Sequence, residues 1–163
     1  MTGASSGFGL SLLETLLKNG EVVVATLRKP EVLSDLVAKY PKDKLLVLKV
    51  DVCKEADITA AFDKAKEVFG HIDVVFNNAG IGSLGETEAV PDDVARAQFE
   101  VNFWGAANVS RAAIKFFREV NKPQVGGTLL QVSSITFYDP SPALSYYSAR
   151  YVLPKGYRPG PPI

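Results

Sequence analysis

With 163 residues the chain is long enough for one domain with a real core and too short for two. Eighteen basic residues balance 18 acidic ones, and 47% of the residues are hydrophobic, a globular composition with no electrostatic pull towards nucleic acid or an anionic membrane. A lone cysteine, Cys53, excludes an internal disulfide and a cysteine-based metal site; with no long apolar run and no leader pattern, a cytoplasmic location is expected.

The chain opens on Thr2-Gly3-Ala4-Ser5-Ser6-Gly7-Phe8-Gly9. Three glycines at this spacing let a backbone turn sharply and approach a pyrophosphate. They also aim the anion at the positive end of the following helix, here the periodic Leu10, Leu13, Leu16 and Leu17. Such a turn normally follows a buried strand, and only Met1 stands before it. Val22–Leu27 is a β-branched run bounded by Asn19-Gly20 and Pro30, and it reads as a buried strand. A helix with Val32, Leu33, Leu36, Val37 and Tyr40 inward is expected next, stopped by Pro41.

Leu45–Val50 reads as the second strand. Glu55–Phe69 reads as a helix with Ile58, Ala61, Phe62, Ala65, Val68 and Phe69 on one face and Gly70 as its cap. Ile72–Phe76 and Gly127–Val132 read as the third and fourth strands, separated by one long helix from about Pro91 to Val120. The alternation predicts an α/β fold, a Rossmann-like doubly wound parallel sheet that is incomplete. Its ligand site is expected beyond the carboxyl ends of the strands. The expected domain is 1–150. Four prolines and two glycines in 151–163 predict a disordered or extended tail.

These motifs, taken in order, resemble the short-chain dehydrogenase/reductase family from Thr2 to about Ala149. Besides the glycine turn, Asn77-Asn78-Ala79-Gly80 follows the third strand and Asp51-Val52 follows the second. Asn102 sits mid-helix in Phe99–Gly105. Ser133-Ser134 ends the fourth strand, and Tyr147-Ser148-Ala149 follows thirteen residues after Ser134. The wording around Asn102 and Tyr147 looks most like the fungal and vertebrate branch acting on steroids, retinoids or similar carbonyls. The resemblance implies a cofactor site built from Gly3, Ser5, Ser6, Gly7, Phe8, Gly9, Arg28, Asp51, Val52, Asn78, Ala79 and Gly80. It further implies hydride transfer between a nicotinamide and a ketone or secondary alcohol, with a small-molecule partner, neither nucleic acid nor membrane, and a possible homo-oligomer.

An acidic residue closing the strand Val22–Leu27 would bind the ribose diol of NAD. Arg28-Lys29 stands there instead, which suits the 2′-phosphate of NADP; solvated loop charges are the other reading. In the family a Tyr handles the proton on the substrate oxygen, a Ser orients that oxygen, and an Asn supports a water relay; Tyr147, Ser134 and Asn102 match. A Lys four residues after the Tyr holds an ammonium near the phenol, whose pKa near 10 makes it a poor base at neutral pH. Here that position is Tyr151. Arg150 has the Tyr-x-x-x-cation spacing only from Tyr146, one residue and about 100° around a helix away. Lys155 follows the helix-breaking Pro154.

The expectation is therefore an NADP-dependent oxidoreductase truncated at both ends, with an impaired catalytic set. The alternative is a non-catalytic nucleotide-binding or interaction fragment. The family's first strand is central, so its absence should bare two strand edges, where each buried unpaired group costs about 1–3 kcal/mol. The remaining conspicuous residues have plainer readings. His71 is expected at the surface or in a cap, Cys53 near the adenine pocket, and Asp92-Asp93 in helix capping. Phe99, Phe103, Trp104, Phe116 and Phe117 are expected in the core or at an interface.

Overall fold

The computed structural model describes residues 1–139 and 143–149, so the expected tail at 151–163 lies outside the described residues. Four strands form as the β-branched runs require: β1 Val23–Leu27, β2 Leu45–Lys49, β3 Val74–Asn77 and β4 Thr128–Gln131. β1, β2 and β4 are trimmed by one or two residues against the sequence reading, whereas β3 starts two residues later than expected and runs one further, to Asn77. The helices are α1 Gly7–Lys18, α2 Ser34–Lys39, α3 Glu55–Phe69, α4 Asp92–Phe99, α5 Ala106–Glu119 and α6 Ser145–Ala149.

The strands pair in parallel as two pairs, β1 with β2 and β3 with β4, so the expected single sheet is divided. Each crossover is helical, as parallel pairing demands. Leu13 and Leu17 of α1 pack on Val23, Ala25, Leu27 and Leu45. On the other side Val75 packs with Ile58 of α3 and Val109 and Ala113 of α5. Full burial of a side chain such as Leu13 contributes about 1.5–3 kcal/mol.

Residues 1–4 join the two halves. The Met1 ammonium donates to the Val24 carbonyl at 2.7 Å. Thr26 N–H donates to Met1 O at 3.0 Å, and Ala4 N–H donates to Thr26 O at 3.2 Å. On the other side Thr2 N–H donates to Phe76 O at 2.9 Å. Met1 and Ala4 thus bond to β1, bridging Thr2 to Thr26, while Thr2 bonds to β3, which fixes the gap as one strand wide. Below this short link the edges of β1 and β3 face each other across an apolar cleft of about 560 Å³. Among the described residues these two edges are bridged at their upper, carboxyl ends by residues 1–4.

Two helical expectations change. Pro30 starts a 3₁₀ turn, Pro30–Leu33, ahead of α2, which rotates Val32 and Val37 outward to 54% and 48% exposure. Val68, expected inward on α3, is also exposed; Gly70, at φ +78°, caps that helix as expected. The long helix is continuous but contains a π-helical turn, Glu100–Gly105, between α4 and α5. Trp104 on that turn is exposed while Phe116 is buried.

Candidate active site

The glycine turn depends on backbone freedom at specific points. Gly3 sits at φ +68°, and a Cβ there would lie 2.9 Å from Ala79 Cα. A Cβ on Gly9 would run into the Gly3 carbonyl oxygen, so α1 can start this close to the turn only with glycine there. Ser6, the residue capping α1, makes no side-chain cap bond, and the first turn of α1 carries no acidic residue. The positive end of α1 is therefore not neutralised by the chain itself, the arrangement that favours an anion.

Thr2 organises the wall opposite. It is buried, and its Oγ1 accepts from Asn78 N–H and Ala79 N–H, each at 2.9 Å, and donates to Asn77 Oδ1 at 3.2 Å. Asn78 Nδ2 returns bonds to the carbonyls of Thr2 and Gly3 at 3.2 and 3.3 Å. Asn77 is 2% exposed and donates to Ala106 O and Gln131 Oε1, tying β3 to α5 and β4. The paired asparagines thus divide the work: Asn77 locks the sheet, and Asn78 locks the glycine turn.

A cavity of about 240 Å³ lies above the strand ends, bounded by the glycine turn, the ends of β1 and β2 and the loop after β3. Of the twelve cofactor residues expected from sequence, ten line it, from Gly3, Ser5, Ser6 and Phe8 through Arg28, Asp51 and Val52 to Asn78, Ala79 and Gly80. Gly7 and Gly9 do not; their part is to shape the turn. Arg28 is exposed at the rim and has no ion pair among the described residues. Asp51 Oδ1 accepts from Cys53 N–H at 3.1 Å, which fixes the carboxylate at the cavity edge. Val52 fits against Gly105, where any side chain would collide with it. The glycine cradle and the exposed Arg28 thus face one cavity.

Cys53 is exposed rather than packed into the pocket. Desolvation, the Asp51 carboxylate and more distant Glu100 push its thiol up to about 11, so it stays protonated and unreactive at neutral pH. His71 is at the surface, against Phe69 O and Asp73. Asp92 pairs with Arg96 one turn on at 2.6 Å.

The three residues expected to carry catalysis sit on three different elements. Asn102 lies in the π turn, buried, with both polar atoms on one partner. Its Oδ1 accepts from Ile81 N–H at 2.8 Å and its Nδ2 donates to Ile81 O at 2.6 Å. Its side chain therefore clamps the loop after β3, with a second Nδ2 hydrogen and a second Oδ1 lone pair beyond those two bonds. Ser134, just after β4, accepts from Thr136 N–H and exchanges a hydroxyl bond with Thr136 Oγ1 at 3.0 Å. Tyr147 is on α6, its ring over Gly82, where a Cβ would lie 3.3 Å from Cε2. The 3₁₀ turn Ile135–Phe137 that follows Ser134 packs on α6, so the Ser and Tyr elements are neighbours. Arg150, Tyr151 and Lys155, weighed above as cations or their replacement, lie outside the described residues.

Sequence reasoning missed two participants. Thr2 was read only as part of the turn, although a small hydroxyl beside the Asn77-Asn78 pair was a signal. Gln98, 1% exposed, has Oε1 accepting from Ser83 N–H at 2.8 Å, which holds the loop facing Tyr147; no sequence signal marked it.

Comparison with known proteins agrees with this geometry. The family model for short chain dehydrogenase matches residues 1–150. An uncharacterized oxidoreductase of Schizosaccharomyces pombe is 40% identical over 149 residues, covering 91% of this chain and 48% of the relative. A 3-ketodihydrosphingosine reductase of Bacteroides thetaiotaomicron is 32% identical, covering 96% of this chain and 54% of its own. Among solved structures, a 3-ketoacyl-(acyl-carrier-protein) reductase of Brucella melitensis complexed with NADH superposes with a TM-score of 0.84 at 32% identity. It covers 93% of this chain and 62% of that one. The chain spans about half the length of the curated relatives it matches. Among the described residues no helix is long and apolar enough to cross a membrane.

Proposed function

Since this chain belongs to the short-chain dehydrogenase family, we propose that it binds NADP in the cavity above the strand ends. The observation that carries this is the juxtaposition, around one cavity, of an α1 amino end with no acidic residue in its first turn, the glycine cradle and Arg28, which has no ion pair among the described residues. Amides at the start of α1 hold the pyrophosphate, Arg28 meets the 2′-phosphate, and Asp51 and Val52 border the adenine. Asn78, Ala79 and Gly80 form the wall beside the ribose and nicotinamide. When bound, the cofactor supplies or accepts a hydride.

The reaction class is hydride transfer between that nicotinamide and a small ketone or secondary alcohol. Tyr147 holds the proton exchanged with the substrate oxygen, and Ser134 orients that oxygen. Asn102 serves by fixing the loop that carries Ile81 and Gly82 beneath the Tyr147 ring. Where the family carries a Lys four residues after its Tyr, this sequence has Tyr151, so that position supplies no ammonium to favour an ionised phenol. Turnover is accordingly slow relative to binding. The second reading, a non-catalytic nucleotide-binding module, rests on that same substitution.

Titration with NADPH and NADH, followed by nucleotide fluorescence and thermal unfolding, tests the proposal. Saturable NADPH binding, tighter than NADH, is expected, with stabilisation of about 2.7 kcal/mol at a hundred times Kd. Absence of any nucleotide-dependent shift in a cooperatively melting protein would overturn it. Screening ketones with NADPH then separates the two readings, since binding without oxidation of the cofactor leaves the non-catalytic one.

A further inference from the structure

The carboxamide of Gln98 is satisfied at one end only. Its Oε1 accepts from Ser83 N–H at 2.8 Å and from the Ser83 hydroxyl at 3.1 Å. That pairing fixes which way the amide faces, because turning it over would set the Nε2 donors against the Ser83 N–H donor. Nε2 therefore points away from Ser83. It has no hydrogen-bond partner among the described residues, although Gln98 is 1% exposed. Ser148 Oγ, on α6, is in the same condition: buried, with no partner among the described residues. No other buried side-chain nitrogen or oxygen among the described residues is left so.

Both groups belong to one helix seam. α4 packs on α6; Ala95 and Gln98 are the buried residues of α4, and Ser148 is the buried residue of α6. Nε2 has two protons to give, and the hydroxyl has one proton and two lone pairs. The two do not bond to each other, so a third group that both accepts and donates must satisfy them. A seam closed to bulk solvent and polar on both walls is where a single water is held.

This seam borders Tyr147. Ser148 follows Tyr147 on α6, Gly82 precedes Ser83, and the Tyr147 ring lies against Gly82. The same loop is tied to the chain entering α6 by Gly85 N–H donating to Ala143 O at 3.0 Å. An exposed bond from Thr87 Oγ1 to Ser145 Oγ, 2.9 Å, adds to that tie.

We infer that Gln98 is a positioning residue for Tyr147. Its Oε1 holds the loop beneath the ring, and its Nε2 reaches the Ser148 hydroxyl through one buried water. A single side chain thus sets the spacing of the two elements between which the ring is held. The positioning role rests on the reading of Tyr147 as the proton-handling group; the bridge itself requires neither nucleotide nor turnover.

Ser148→Ala separates a bridge from an idle hydroxyl. Removing a hydroxyl buried without a partner leaves Tm unchanged or raises it, whereas removing one that anchors a water lowers Tm, here by at least about 2 °C. Gln98→Met keeps the length and drops both polar ends. In the Q98M background S148A should cost less than half as much, because the water has already lost its other anchor. In the isotope-labelled full chain, the Gln98 side-chain amide protons, identified by their loss in Q98M, should show an Overhauser contact with a long-lived water. S148A should abolish that contact. The Tyr147 ring signal, identified by its loss in Tyr147→Phe, should shift or broaden in Q98M, while the signal of Tyr138, 76% exposed, stays in place.

S148A melting at or above the parent, additive losses in the double variant, or no water contact at Gln98 overturns the bridge. A Tyr147 ring signal unmoved by Q98M overturns the positioning role. Failure to bind NADPH with the bridge intact counts against the proposed function alone.

Discussion

Replacing Thr2 by valine keeps nearly the same shape but removes one hydroxyl on which three groups converge. Oγ1 is the acceptor for the Asn78 and Ala79 amides at 2.9 Å each, and the donor to Asn77 Oδ1. The valine leaves two amides without a partner in a site where Thr2 is 7% exposed. An unsatisfied buried amide costs about 1–3 kcal/mol. Asn78 and Ala79 are only partly buried, so the lower half of that range applies to each. The expected loss is about 2–4 kcal/mol. At roughly 2–4 °C per kcal/mol for a chain of this size, Tm falls by about 4–16 °C. Thr2→Ser, which keeps the hydroxyl, should lose only about 1 kcal/mol for the missing methyl. Thermal unfolding gives the totals, and hydrogen exchange reads the two amides directly. If T2V melts within about 2 °C of the parent, or if exchange at Asn78 and Ala79 is unchanged, the clasp assigned to Thr2 is wrong.

Gly9→Ala places a Cβ against the Gly3 carbonyl and should cost about 1–3 kcal/mol while abolishing NADPH binding in the same titration. Gly7→Ala has open space and only its φ of +54° to overcome; about 1–2 kcal/mol is expected, so a G7A loss exceeding that of G9A would contradict the crowding argument. Arg28→Gln should weaken NADPH at least about tenfold and leave NADH unchanged, as fluorescence titration reads; equal losses would remove Arg28 from the 2′-phosphate. Burial lowers the Met1 ammonium from 8.0 to about 6, so above pH 6 the unfolded chain binds more protons than the folded one. Stability should therefore rise between pH 6 and 8, by on the order of 2–3 kcal/mol, and denaturant melts should show that rise vanish on amino-terminal acetylation.

The strands, the helices and most of the residues that line the cavity above the strand ends were legible because each is written locally. β-branched runs mark strands, glycines mark the turn, and Asp51 and Asn78 stand directly at strand ends. What stayed hidden depends on contacts distant in sequence. Val32 and Val37 have the spacing of a buried face, yet Pro30 spends the first turn as a 3₁₀ helix and rotates that face outward. The π turn at Glu100–Gly105 leaves no mark in a helical periodicity, and only the Ile81 backbone shows why Asn102 sits in it. The sequence pointed to the bared edges, whereas the way Met1 and Thr2 staple their tops required coordinates.

That staple makes the molecule behave like a book bound along one edge. The spine is at the carboxyl ends of the strands, where residues 1–4, Asn77 and Asn78 hold the halves together; the pages part at the amino ends, where the cleft opens. The nucleotide cavity sits at the spine. The cavity bounded by the glycine turn thus lies on the side where residues 1–4 hold the two strand pairs together.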